Sequence, residues 1–255
     1  MNEEKMTIKQ IESLFKENEL TTDQVADFRS DTRGAVLRCV QRWERQQAER
    51  RRVEALYQYE YACIKMGHSL VAGVDEAGRG PLAGPVVVAA VILPPGLFLP
   101  KLNDSKKLSA KAREVLYEQI VKSAVAVSRA FIDPATIDRV NIYQATMHGM
   151  YDAIFGLQSQ PQHVLIDAMP LKELPMPSLS LIKGDSKSAS IAAASIVAKV
   201  ERDRLMDEYD KQYPQYGFAR HKGYGTAEHV EALQNYGPCP IHRRSFEPVK
   251  SLTGF

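Results

Sequence analysis

The stretch LVAGVDEAGRGPLAGPVVVAAVIL, residues 70–93, constrains the chain more than any other. It places two adjacent acids, Asp75 and Glu76, between apolar runs that otherwise read as buried strands. An ionised carboxylate without a partner is costly to desolvate, so these acids belong at a strand end that opens onto a site. The Gly-Pro punctuation between the runs makes them neighbouring strands. Further strands are expected at AVAVSRAFI (124–132), HVLIDA (163–168) and LSLIKGD (179–185), the last two read as buried. Helices are expected from Ser109 to about Lys122, from Asp133-Pro134 to about Leu157, and from Lys187 to about Tyr209. The early face of this last helix is small (Ala189, Ala192, Ala193, Ala194, Ala198), which suits close packing on a sheet. Strands paired early and then alternating with helices imply an α/β domain with a mixed sheet.

Asp167 closes the run VLID and Asp185 follows LIKG, so apolar strands end repeatedly in acids. Strand ends of an α/β sheet are where sites are built, and clustered acids repel unless a cation joins them. Carboxylates without Cys or His at ligand spacing suit a hard ion, Mg²⁺ or Mn²⁺. Other chemistries lack their motifs. There is no G-x-x-x-x-G-K-[ST] phosphate loop and no G-x-S-x-G elbow, and Gly78-x-Gly80-x-x-x-Gly84 precedes a strand rather than a helix. Ser195, between Ala194 and Ile196, reads as a packed helix residue. The three cysteines stand far apart, which argues against a zinc knuckle and for a reducing, cytoplasmic setting. A net charge of +2 requires any basic site to be local. The apolar run Val86–Leu93 is too short to span a bilayer, so no membrane association is expected.

Six blocks carry a more specific signal: GVDEAGRGPLAGPVVVAAVIL, DSKKLS (104–109), VLIDAMPL (164–171), KGDSKSASIAAASIVAKVERD (183–203), HKGYGT (221–226) and PIHRRSFEPV (240–249). In this order they resemble the signature blocks of the type 2 ribonuclease H family, the bacterial ribonucleases HII. Ribonuclease HIII is a poorer match, because its glycine motif lacks the arginine and its last acid is Glu where this chain has Asp185. The resemblance implies a ribonuclease H-like mixed β-sheet flanked by helices. It also implies endonucleolytic cleavage of RNA paired to DNA, including single ribonucleotides embedded in duplex DNA, leaving 5′-phosphate and 3′-hydroxyl ends. Asp75, Glu76, Asp167 and Asp185 would hold two divalent ions, Mn²⁺ or Mg²⁺. Gly78, Arg79 and Gly80 would read the 2′-hydroxyl, the group that separates RNA from DNA, and Tyr224 would stack at the RNA–DNA junction.

Lys106, Lys107, Lys183, Lys187 and the pair Arg243-Arg244 suit phosphate contacts. His221 reads as a loop histidine rather than a mobile proton carrier. Two rival functions stay open on the residues alone: a non-catalytic nucleic-acid-binding module, and a metal-dependent phosphohydrolase of small nucleotides. A monomer is expected, and the tail KSLTGF suggests a sliding-clamp peptide.

The chain is expected to divide into a helical N-terminal extension, 1–69, and a catalytic domain, 70–255. Thr7 and Thr22 read as N-caps of short helices near 8–17 and 23–29. A longer helical stretch from about Thr32 to Met66 carries Val36, Val40 and Trp43 on one side and should break internally. Its segment RWERQQAERRR (42–52) reads either as a solvated face or as a helix touching phosphates. Many family members start just before the first block; since the six blocks hold every acid the implied mechanism needs, a chain beginning near Gly67 is expected to fold and keep its chemistry. The extension is a possible substrate-binding appendage.

Overall fold

The computed structural model describes residues 6–17 and 20–254. The chain forms two compact units, Met1–Ala55 and Leu56–Phe255. In the first, α1 (Ile8–Glu17) and α2 (Thr22–Arg29) each pack on the long α3 (Gly34–Ala55), burying Ile11, Val25, Val36 and Val40. The cap of α2 is Thr21, not Thr22. Its hydroxyl accepts the Gln24 N–H while the Gln24 side chain accepts the Thr21 N–H, a reciprocal capping box. Trp43 is only half-buried.

The second unit begins earlier than residue 69, because α4 (Gln58–Lys65) belongs to it. Its five strands are β1 (Val71–Ala77), β2 (Val86–Ile92), β3 (Ala126–Ile132), β4 (His163–Asp167) and β5 (Ser178–Leu181), in the order β3-β2-β1-β4-β5. The first three pair antiparallel, and β4 joins β1 in parallel, as β5 joins β4. The sheet is therefore mixed, and β1 lies at its centre. The even positions Ala72 and Val74 face a core shared with α7 (Ile142–Phe155). The odd positions Val71 and Gly73 face α8 (Ala189–Gln212), against which α5 (Ala110–Ser123) packs in turn.

Two expectations are corrected. The helical stretch after Pro134 is broken into α6 (Pro134–Val140) and α7 by Asn141, whose φ of 72° cannot continue a helix and whose side chain caps the next one. β5 is an edge strand, largely exposed, so its apolar composition does not make it buried.

Gly73 explains how α8 comes so close. A Cβ there would lie 2.0 Å from the Ser190 carbonyl carbon and 2.2 Å from the Ile191 nitrogen. No side chain fits between strand and helix at that point, and the alanines of α8 complete the fit. The start of α8 is thereby fixed over the carboxyl end of β1.

Candidate active site

Alternation along β1 sends Asp75 to the same face as Val71 and Gly73, towards α8. Parallel pairing sets Val74 opposite Ile166, so Asp75 and Asp167 follow at the same ends of adjacent strands. From β5 the chain passes Lys183, in a left-handed conformation (φ 56°), into a short 3-10 turn, Gly184–Ser186, that carries Asp185. Asp185 thus comes from a turn four residues past β5, not from a strand end. The Gly184 N–H donates to Asp167 Oδ1 at 2.6 Å and ties the two acid-bearing segments together.

Asp75 and Asp185 are buried and Glu76 nearly so. Burial, then the charges of Glu76 and Asp167, raise the Asp75 carboxyl well above its usual range. Bonds from Ser195 and the Glu76 N–H (2.7 Å) oppose that rise. Glu76 is raised by burial, against the pull of Arg79, whose guanidinium stands 3.5 Å away. Asp185 is raised by burial, then by Asp104 and Asp167. Lys106 is raised as well, but by the acids and not by burial. Burial would lower its ammonium, but Asp185, Asp75, Asp104 and Asp167 together raise it. The four expected acids and Lys106 therefore share one electrostatic site. Lys107, Lys183 and Lys187 are exposed.

The donor chemistry fits a hard divalent cation in one specific respect. Glu76 Oε2 is buried and has no hydrogen-bond partner, an arrangement that leaves a lone pair for a cation in a repelling carboxylate cluster. Among the described residues no three acid, histidine or cysteine side chains are already closed around a metal position. Asp75, Glu76 and Asp167 instead turn to Ser195, Arg79 and the Gly184 N–H.

Beside the acids, the loop 78–85 rests on two buried guanidinium groups. Arg202 donates to the carbonyls of Ala83, Pro85 and Lys222 at 2.9–3.0 Å. Arg243 donates to those of Gly78, Arg79 and Gly84 at 2.6–3.0 Å. Gly78 (φ +94°) has no room for a side chain, since a Cβ would lie 2.0 Å from Arg202 Nε. Burial lowers Arg202 to about 10, and burial with the neighbouring Arg202 lowers Arg243 to about 9, so both stay charged at neutral pH. Arg243 is thus no phosphate contact. It is wholly buried and holds the glycine loop, while the Arg244 N–H donates to Asp138.

Tyr224 is half exposed and its ring stands next to Gly80, with 3.8 Å between its Cε1 and the position of a Cβ there. Its N–H donates to the His221 carbonyl (2.9 Å), and its carbonyl accepts His229 Nδ1–H (2.9 Å). His229 Nε2 must then accept from His242 Nε2 (3.0 Å), and His242 Nδ1 accepts the Cys239 N–H (2.9 Å). Burial first, opposed by these backbone bonds, lowers His229 and His242 to about 4. Both ring nitrogens of His221 are engaged, by the Tyr216 carbonyl and the Gly223 N–H, so it is a structural residue and not a mobile carrier.

Sequence reasoning passed over three further residues. Ser195 holds Asp75 and meets Ser105 Oγ at 2.9 Å. Asp104 bonds to Asp185. Glu60, on α4, is buried and accepts from Ser188 Oγ (2.6 Å) and the Ser190 N–H (2.9 Å), clasping the first turn of α8. Only DSKKLS offered a signal, for Asp104 and Ser105.

A mixed sheet with carboxylates at the shared ends of β1 and β4, flanked by basic loops, defines a nuclease of the ribonuclease H fold. A ribonuclease H2 structure from Pyrococcus horikoshii OT3 superposes with a TM-score of 0.63 at 26% identity, over 72% of this chain and 97% of that one. The ribonuclease HII in a PCNA complex from Archaeoglobus fulgidus gives 0.58 at 26% identity, over 70% and 95%. The ribonuclease HII family model matches residues 72–249, and the model of the ribonuclease HII N-terminal domain matches residues 7–63. A ribonuclease HII of Enterococcus faecalis is 53% identical over 245 residues, 94% of this chain and 96% of its own length. The chain belongs to the ribonuclease HII family and is a type 2 ribonuclease H, an endoribonuclease. The N-terminal region, set apart as an extension by the position of the first block, thus matches a family model of its own. Among the described residues no helix is long and apolar enough to cross a membrane.

Proposed function

We propose that this enzyme cleaves the RNA strand of RNA–DNA hybrids and incises at single ribonucleotides embedded in duplex DNA, serving ribonucleotide removal during replication and repair. The observation that carries the mechanism is the buried, unpartnered Glu76 Oε2 within a cluster of mutually repelling carboxylates. Asp75, Glu76, Asp167 and Asp185 would hold two divalent ions, Mg²⁺ or Mn²⁺. Bound there, such ions supply an activated water and charge stabilisation at the leaving 3′-oxygen. The chain's own residues do the rest. Ser195 and the Gly184 N–H orient Asp75 and Asp167, and Lys106 brings a cation to the acids. Lys107, Lys183 and Lys187 offer exposed charges to the phosphate backbone.

Gly78, Arg79 and Gly80 are assigned to the 2′-hydroxyl. With the carbonyls of Gly78, Arg79 and Gly84 held inward by Arg243, the loop is fixed before substrate arrives. Tyr224, beside Gly80, is assigned to the deoxyribose across the junction. The N-terminal region is assigned to substrate binding. The tail 250–255, whose Phe255 lies outside the described residues, is assigned to a sliding clamp; the PCNA complex of the Archaeoglobus relative supports this.

The test is a DNA duplex carrying one ribonucleotide, incubated with Mg²⁺, Mn²⁺ or EDTA. Incision at the ribonucleotide that yields 5′-phosphate and 3′-hydroxyl ends with metal, and none with EDTA, is expected. Binding without metal-dependent cleavage would favour a non-catalytic module, and turnover of mononucleotides alone would favour a small-nucleotide phosphohydrolase.

A further inference from the structure

The segment RWERQQAERRR offered five arginines, and the structure separates their roles. Arg52 pairs with Glu49 at 2.7 Å; elsewhere in the same unit Arg29 pairs with Glu44 and Arg33 with Asp31. A different set of cations lines a concave surface between α1 and α3. That cavity, about 480 Å³, is bounded by Lys16, Arg38 and Arg42, by the aromatic rings of Phe15 and Trp43, and by a single acid, Glu12. None of these three cations forms an ion pair among the described residues. Arg38, Arg42 and Lys16 are exposed, whereas Phe15 and Trp43 are half-buried and present ring surface to the cavity.

We infer that this groove in the N-terminal unit binds an unpaired nucleotide of a single-stranded nucleic acid segment, with its phosphates on Arg38, Arg42 and Lys16 and its base against Trp43 or Phe15. Single-strand sites combine a positive groove that tracks the backbone with aromatic rings on which bases stack, because every base has a π-face. A guanidinium also binds phosphate in a fork and lies flat against a ring or base. A paired duplex offers the phosphates but keeps its base faces stacked, so it would leave the aromatic part of the groove unused. The volume falls within the range of roughly 300–1,000 Å³ usual for small-ligand sites, large enough for one base with its sugar. This inference rests on the reading of the chain as a nucleic-acid enzyme and adds a second contact, specific for unpaired strand, to it.

Trp43 is the chain's only tryptophan, so emission excited beyond the tyrosine absorption band reports on this groove. The experiment titrates the full chain, in EDTA so that nothing is cleaved, with an oligothymidylate of about ten nucleotides, within the span of known single-strand sites. A blunt DNA hairpin is the comparator, and anisotropy of labelled nucleic acid follows binding independently. The oligothymidylate is expected to quench Trp43 and the hairpin to leave it nearly unchanged. The double variant Arg38→Glu/Arg42→Glu is expected to bind the oligothymidylate at least tenfold more weakly. Its log-affinity against log-salt slope is expected to be shallower by about 1.4, at about 0.7 per single-strand phosphate contact. Saturated binding with unchanged Trp43 emission would overturn the inference. Equal quenching by hairpin and single strand, or wild-type affinity of the variant, would do the same. All three results leave cleavage standing, whereas a wild-type protein that fails to cleave would refute the nuclease reading instead.

Discussion

Where the chain can be cut decides how the two sequence regions relate. A chain starting at Gly67 removes α4 and its preceding turn. Lost with them are two hydrogen bonds to the Glu60 carboxylate, the bond from the Ala189 N–H to the Leu56 carbonyl (3.0 Å), and the bond from Tyr57 OH to the Leu97 carbonyl (2.9 Å). Bonds to a charged group are worth about 1.5–3 kcal/mol and neutral ones about 1. Burial of Leu56 and Tyr57 adds roughly 2 kcal/mol each. Against this, Glu60 is a carboxylate whose pKa burial raises, and its Oε2 has no partner, which offsets roughly 2–3 kcal/mol. The net loss is about 6–10 kcal/mol, comparable with the whole stability of a domain. The expectation that a chain beginning near Gly67 folds is therefore reversed, and a chain beginning at Leu56 should fold. Urea unfolding followed by circular dichroism tests both. A Gly67 chain with a midpoint close to that of the Leu56 chain would refute the reasoning.

Other outcomes are equally direct. Arg243→Met leaves the buried carbonyls of Gly78, Arg79 and Gly84 short of donors, at about 1–3 kcal/mol each; a lowered urea midpoint with a greater proportional loss of ribonucleotide discrimination than of duplex binding is expected. For Tyr224→Ala, incision at a single embedded ribonucleotide should fall steeply, by up to the ~1–3 kcal/mol of a stacking contact, and cleavage inside a long hybrid should fall less; equal losses would remove Tyr224 from the junction. His229 and His242 are held down to about 4 in the folded protein, below their unfolded value of 6.5, so the unfolded state binds more protons between these values. The contribution of these two histidines to stability should therefore be flat above pH 6.5 and fall as pH drops from 6.5 towards 4, by up to ~3 kcal/mol per histidine, and His229→Gln should make the urea midpoint fall less than in the wild type across that window.

Much of the catalytic unit was legible because local pattern and tertiary role coincide there. Asp75 and Asp167 interrupt apolar runs, and only a strand end at a site reconciles such runs with a charge. The alanines of α8 likewise announced a close approach to the sheet. The residues that escaped act across long sequence separations. Ser195 looks like any packed serine of a helix until Asp75 is placed beneath it, and Glu60 lies 128 residues from the serine it binds. Arg202 and Arg243 sit in charged runs that read as surface, yet both are buried because seven carbonyl contacts receive their donors. Asp185 was found by its position after an apolar run, but its turn depends on a left-handed Lys183 that no spacing rule announces.

The central claim is that the carboxylate cluster performs the cleavage while the basic and glycine-loop surfaces hold the substrate. Its most direct test compares Asp75→Asn with the wild-type protein on a duplex carrying one ribonucleotide, measuring incision in Mg²⁺ or Mn²⁺ and affinity in EDTA side by side. Removing one member of a repelling, buried cluster should leave the metal-free protein as stable or more so. Incision should be abolished with affinity within a few-fold of wild type. Near-normal incision by Asp75→Asn would contradict the account, as would affinity lost in proportion to activity.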